Sequence, residues 1–281
     1  NPSISADTLV RLRRQYGLDQ AVAVRYARWL ESLLKGEWGF SMVYHRPAGP
    51  LVWERARNTL LLTASATLVA WVIALSVAVW VTLGRTWRGL LLGGCIAALL
   101  ALPDVLLILG LILAAAHTGW LPAGGMTSLD HACMSPWSKF RDVALHLVLP
   151  GAALVLAVTP VLLAHTRAAL AEVMTAPFIT AARAFGIRRT RLIVCHALPV
   201  AANPLITLAG FSLGTLLSSS LLVEAMTGWP GLGQLLWQSI LQRDYYVVIG
   251  AVMFSAILLV TGNLVADLSI YALDPRIKRE G

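Results

Sequence analysis

Two carboxylates stand inside otherwise apolar stretches of the chain: Asp104 follows Pro103 in the run from Gly89 to Ala116, and Asp267 follows Asn263 in the run that begins at Tyr246. A carboxylate in hydrocarbon costs at least a few kcal/mol unless it faces a cavity or a polar partner, and a proline frees a backbone carbonyl and kinks its helix. Pro103 and Asp104 therefore belong on the inner side of a helix bundle, near mid-depth. There they are candidates to line a pathway, and hydrogen bonding of Asp104 to its neighbours fits the residues equally well. Asp267, close to the end of its run, reads as a structural group for backbone or arginine N–H groups. Other chemistry is sparse. The histidines at 45, 117, 131, 146, 165 and 196 are scattered, and Cys95, Cys133 and Cys195 are far apart, so interfacial hydrogen bonding is the default for the former and no disulfide is expected of the latter. No G-x-x-x-x-G-K-[ST] loop and no H-E-x-x-H helix occurs. The chain is expected to hold no metal, no cofactor and no catalytic residue, and not to hydrolyse nucleotide.

The most informative stretch is AARAFGIRRTRLIVCHALP. Ala181 and Ala182 sit on a short helix with Arg183 and Phe185, Gly186 can end it, a basic turn follows, and a second apolar helix is expected to stop at Pro199. Small side chains let another surface approach closely, so such a helix can dock into a groove of a partner in the adjoining aqueous phase.

The elements that position these groups follow from where charge is missing. Of 281 residues 58% are hydrophobic and 13% charged, against about a quarter charged in ordinary soluble domains. Uncharged runs of 27, 24, 32 and 22 residues lie between Arg57 and Arg85, Asp142 and Arg167, Arg191 and Glu224, and Asp244 and Asp267, and the run from Gly89 to Ala116 is broken only by Asp104. About 20 helical residues cross a bilayer core, so five spans are expected in an all-α, polytopic transmembrane helix bundle. A compact soluble core, a disordered chain and a disulfide scaffold are excluded. Patterns of small residues four apart are plentiful and do not single out a contact.

Residues 1–57 lack a long apolar run and read as an extracytoplasmic amphipathic segment. One short helix lies in LVRLRRQY, opened by Asp7 and Thr8 and closed by Gly17; a second, QAVAVRYARWLESLLK, is capped by Asp19 and closed by Gly36. The second is either a surface helix or one lying among lipid headgroups through Tyr26 and Trp29. Residues 58–273 form the membrane domain, with helical connections at 167–199 that include AALAEVM and FITAARAF, and 274–281 form a tail. Residues 84–88, 167–199 and 274–281 hold 10 basic residues in 46, whereas the other side holds 12 in 109. The denser side is expected to be cytoplasmic, with the C-terminus there. An outer N-terminal segment needs a span to carry it across, so a first span ahead of Asn1 is expected, six in all. The net charge of +8 thus marks orientation and not a nucleic-acid partner.

The connection at 167–199 resembles the EAA motif of permease subunits of ABC importers: EAA, three residues, Gly, nine residues, I-x-L-P. Ala181, Ala182, Gly186, Leu198 and Pro199 fall in register, with Thr180 in place of Glu and His196 in place of Ile. RARNTLLLTASATLVAW, GWLPAGG, HLVLPGAAL, GWPGLGQLLWQSILQRDYYVV, NLVADLSIYALDPRIK and the outer segment LRRQYGLDQAVAVRYARWLESLLKGEWGFS resemble the dipeptide, oligopeptide and nickel permeases. The resemblance implies the type I permease fold in a bacterial inner membrane, a homologous second permease, an extracytoplasmic solute-binding protein, and two ATPase subunits that carry the ATP and Mg. Alternating access would be driven through a coupling helix around 181–186, so bulky or charged replacement of Ala182 or Gly186 is expected to uncouple transport. An ion-coupled secondary transporter using Asp104 and Asp267, or a membrane-embedded hydrolase, are the alternatives; the hydrolase lacks a nucleophile and base at a motif spacing.

Overall fold

A computed structural model describes residues 20–84 and 86–273. The expected first amphipathic helix with Asp7, Thr8 and Gly17, the capping Asp19, Arg85 and the tail 274–281 lie outside the described residues. Helix α1 (Val22–Leu34) buries no residue and closes at Gly36 (φ +84°), where the Glu37 N–H reaches the Ser32 carbonyl at 2.9 Å. Its N-cap is Ala21. A two-residue antiparallel ladder follows, β1 (Phe40–Ser41) on β2 (Arg46–Pro47), with Phe40 opposite Pro47. Then come α2 (Ala48–Leu83), α3 (Thr86–Ala101), α4 (Asp104–Thr118), α5 (Pro136–Met174), α6 (Pro177–Ala184), α7 (Arg189–Val200), α8 (Ala202–Thr227), α9 (Leu232–Leu241) and α10 (Tyr245–Leu273).

Among the described residues, three unbroken helices are long and apolar enough to cross a membrane: α2, α5 and Tyr245–Val265 of α10. Two bent pairs raise the number to five, Trp87–Ala101 with Asp104–Thr118 at 96° and Arg189–Val200 with Pro204–Gly210 at 62°. The five expected spans are thus present only with these pairs counted as one span each. The kink expected near mid-depth at Pro103 is a full break. Leu102, ahead of a proline, is disfavoured in the helical region, Pro103 is extended (ψ 137°) and caps α4, and Asp104 sits in the first turn, where a negative charge meets the positive helix end.

Two expected boundaries also shift. Helix α2 begins at Ala48, so residues 48–57 of the expected outer segment are the first turns of the same 36-residue helix that holds the first span. Helix α5 runs 39 residues through Pro150 and Pro160 and absorbs AALAEVM, leaving Pro177–Ala184 as the separate helix of the connection. Pro160 causes no break there.

The core rests on small side chains. Ala66, Ala70, Ala74 and Ala78 of α2, each four residues apart and at most 2% exposed, meet Ala153, Leu154, Leu162 and Leu170 of α5. Alanines at this spacing let two helices approach closely without side-chain entropy to lose. The hydroxyls of Thr63, Thr67 and Thr82 bond the carbonyls one turn back and so carry no free polar group into this seam. A second cluster sits at the other end of α2. There Leu51, Val52 and Ala56 pack on Leu232 and Leu235 of α9 and Val247 and Ala251 of α10, beneath Trp38 and Tyr44.

Candidate docking and translocation site

Helix α6 is isolated by sequence. Ala176, ahead of Pro177, is extended (ψ 145°), Pro177 takes the first helical turn where no N–H is needed, and Gly186 (φ +75°) terminates the helix. The Gly186 N–H bonds the Arg183 carbonyl at 3.0 Å and the Ile187 N–H bonds the Ala182 carbonyl at 3.3 Å, the paired closure that a left-handed residue makes possible. Ile179 is fully buried and pins the helix to the bundle, and Ala182 is half-buried on the same side. Ala181, Arg183 and Gly186 are exposed, Phe178 is 45% exposed and Phe185 is 87% exposed. The structure therefore collects Ala181, Arg183, Phe185 and Gly186 on one presented end. Thr180, where the motif has Glu, is exposed with them.

Leu198 and Pro199 lie elsewhere, on α7, with Leu198 packed inward and Pro199 exposed. The helix ends at Val200, one residue past the expected stop at Pro199. The backbone takes π-helical turns over Leu192–Ala197, Leu198–Val200 is helical again, and the Ala201 N–H still reaches the Ala197 carbonyl at 3.0 Å before α8 begins. Proline has no N–H to give its i−4 carbonyl, and the wider turn spreads that loss over several residues.

At the corner between α3 and α4, Asp104 is exposed and borders a narrow crevice with Ile108, Ala153, Ser219 and Val223. Asp267 is exposed on α10. Asp104 thus lies where α4, α5 and α8 converge.

Three polar clusters went unforeseen, because their charges served only to mark where spans end. Glu224 of α8 is fully buried and its Oε2 accepts the Gly233 N–H at 2.6 Å, while Thr59 Oγ1 of α2 accepts the Leu232 N–H at 2.7 Å. Trp229, also fully buried, donates Nε1–H to the Asn58 carbonyl at 3.1 Å. Together they latch the GWPGLG loop onto α2 at the end opposite α6. A Cβ on Gly231 would overlap Glu224 and Thr59, and one on Gly233 would lie 2.5 Å from the Leu221 backbone, which explains two of the loop's glycines. Asp142, at the head of α5, accepts from the Ser128 N–H at 3.0 Å and hydroxyl at 2.7 Å, with His131 Nδ1 at 2.7 Å. Asp244 accepts the Ser41 hydroxyl at 2.5 Å, tying β1 to the start of α10. For Glu224 the available signal was its place four residues ahead of the Gly- and Pro-rich GWPGLG. Among the described residues no three His, Cys, Asp and Glu side chains gather as metal ligands.

A bundle of apolar helices of membrane-crossing length defines an integral membrane protein. The family described as binding-protein-dependent transport system inner membrane component matches residues 66–279, and the chain belongs to this family of ABC importer permeases. It is 33% identical over 282 residues to the oligopeptide transport system permease protein AppB of Bacillus subtilis (strain 168), covering 99% of this chain and 87% of that one. It is 32% identical over 284 residues to the glutathione transport system permease protein GsiC of Salmonella paratyphi A, covering 99% and 86%. Among solved structures, the inward-facing MetNI methionine ABC transporter aligns with TM-score 0.64 at 21% identity, covering 80% of this chain and 96% of that one. An amino acid ABC transporter crystal structure aligns with TM-score 0.60 at 16% identity, covering 79% and 94%. The permease fold and the inner-membrane family are thereby established, and the subunit acts within a multi-subunit importer.

Proposed function

We propose that this permease translocates di- or oligopeptides, pairing with a homologous second permease and taking solute from an extracytoplasmic binding protein. The names of its relatives, for an oligopeptide and for glutathione, itself a tripeptide, support that substrate class. Two ATPase subunits supply ATP and Mg, and this chain holds no cofactor of its own. The end bearing α6 and the C-terminus face the cytoplasm, residues 1–57 face outward, 58–273 form the translocating domain, and 167–199 couple it to the ATPases. Pro103 and Asp104 line the translocation path.

One observation carries the coupling reading: Phe185, an aromatic side chain 87% exposed, stands beside a left-handed Gly186 at the tip of a helix otherwise pinned by buried Ile179. An exposed aromatic on a rigid, preorganised tip is a binding anchor, and truncating such an anchor costs about 2 kcal/mol or more, close to thirtyfold in affinity. Phe185→Ala is expected to reduce ATPase subunits co-purified with the membrane-inserted permease by about that factor. Undiminished co-purification with unchanged uptake removes α6 as the docking element.

A further inference from the structure

A cavity of about 550 Å³ opens where the end of α2, the start of α3, α5 and α6 meet, and it shares only Arg183 with the presented end of α6. Three arginines from three different elements line it: Arg167 of α5, Arg183 in the last turn of α6 and Arg189 of α7. Arg189 Nη2 donates to the Thr82 carbonyl at 2.7 Å and Arg167 Nη1 to the Gly89 carbonyl at 3.3 Å. Each guanidinium has five N–H donors, so a single carbonyl occupies few of them, and among the described residues none of the three arginines pairs with a carboxylate. No Asp or Glu is among the described residues lining the cavity, and Glu172 lines a separate one with His165 and Pro204. The depth is marked by aromatics. The Arg88 guanidinium lies 4.5 Å from the centre of the Trp80 ring and 5.9 Å from that of Trp87, as side chains at headgroup level do. Leu90, also on the lining, is 76% exposed and offers an apolar shelf beside the charge.

We propose that this cavity binds the phosphate of an anionic membrane phospholipid, with its acyl chains lying along Leu90. Planar guanidinium forks match phosphate oxygens, and basic pockets between membrane helices favour anionic headgroups. Because Arg183 belongs to α6 while Thr82 and Gly89 belong to the bundle, the lipid bridges the docking helix to α2 and α3. The inference goes beyond the transport reading and holds whatever solute is carried.

The test is native mass spectrometry of the assembled transporter exposed to equal amounts of phosphatidylglycerol and phosphatidylcholine. The wild type is expected to retain phosphatidylglycerol over phosphatidylcholine by about tenfold. Arg167→Gln with Arg189→Gln is expected to erase that preference, while Arg167→Lys with Arg189→Lys keeps it within about threefold. Excess inorganic phosphate is expected not to displace the lipid. Equal retention of the two lipids by the wild type overturns the proposal without recourse to any variant. Displacement by inorganic phosphate overturns the lipid in favour of a free anion. Retained lipid preference in the glutamine pair, with ATPase subunits shed, overturns it in favour of a protein contact.

Discussion

Replacing Gly186 tests whether the tip of α6 acts through its backbone or through its bulk. The residue sits at φ +75°, and a Cβ built there meets no atom within 4 Å. The penalty for a side chain is therefore conformational, about 1–2 kcal/mol for an L-residue held in the left-handed region. Relaxing to negative φ would release that strain but break the 3.0 Å bond to the Arg183 carbonyl and the 3.3 Å bond to the Ala182 carbonyl. Either way the presented conformation loses about 5- to 30-fold in population, and a docking partner that requires it pays the same factor in apparent affinity. Gly186→Ala is thus expected to lower solute uptake per ATP hydrolysed in proteoliposomes of the assembled transporter, with unchanged membrane levels. Gly186→Asn is expected to lose less, because asparagine tolerates the left-handed region although it is larger than alanine. Gly186→Val should lose most. An asparagine variant as damaged as the alanine variant, or an alanine variant coupled as tightly as the wild type, refutes the backbone argument.

Removing the buried acceptor in Glu224→Ala strands the Gly233 N–H and should destabilise the protein by about 1–3 kcal/mol, seen as a lowered Tm of the purified permease. Glu224→Gln keeps a carbonyl acceptor and should lose less; equal Tm values for all three proteins would show that the latch contributes nothing. Trp229→Phe deletes the donor to the Asn58 carbonyl at a cost of about 1 kcal/mol. Trp229→Ala also opens a void at a fully buried site, about 3–5 kcal/mol, and should abolish accumulation in the membrane by immunoblot. In Asp142→Ala the Ser128 N–H and hydroxyl lose their partner, so limited proteolysis should cut near residues 120–133 faster than in the wild type. Cleavage at the wild-type rate would leave Asp142 without a role in holding that loop.

Spans were legible because hydrocarbon forbids charge: residues 58–83 and 143–166 fall within α2 and α5. Helix ends were legible wherever a backbone preference is absolute, as at Gly36, Pro177 and Gly186. The lengths of α2 and α5 were not, since a helix that leaves the membrane keeps its hydrogen bonds and tolerates Glu54, Arg55 and Arg57 as readily as leucine. Pro103 illustrates a different limit. Proline announces a lost hydrogen bond, but whether the helix bends or breaks by 96° depends on what α5 and α8 leave room for. Glu224 shows a third: a charge at a span end reads as a boundary, and only the fold brings Gly233 to its oxygen.

The π turns at Leu192–Ala197 give the segment between the tip of α6 and α8 a spare residue. Hydrogen-bonded loops there close over five residues instead of four, so loss of one residue can be taken up by tightening the ladder to ordinary α turns. In a straight α-helix the same loss would swing everything downstream by a quarter turn or more, carrying the buried face of α8 out of the core. The stretch thus separates the length of the chain from the phase of its helices, and a homologous permease can vary by one residue here while both the tip and the bundle stay in place.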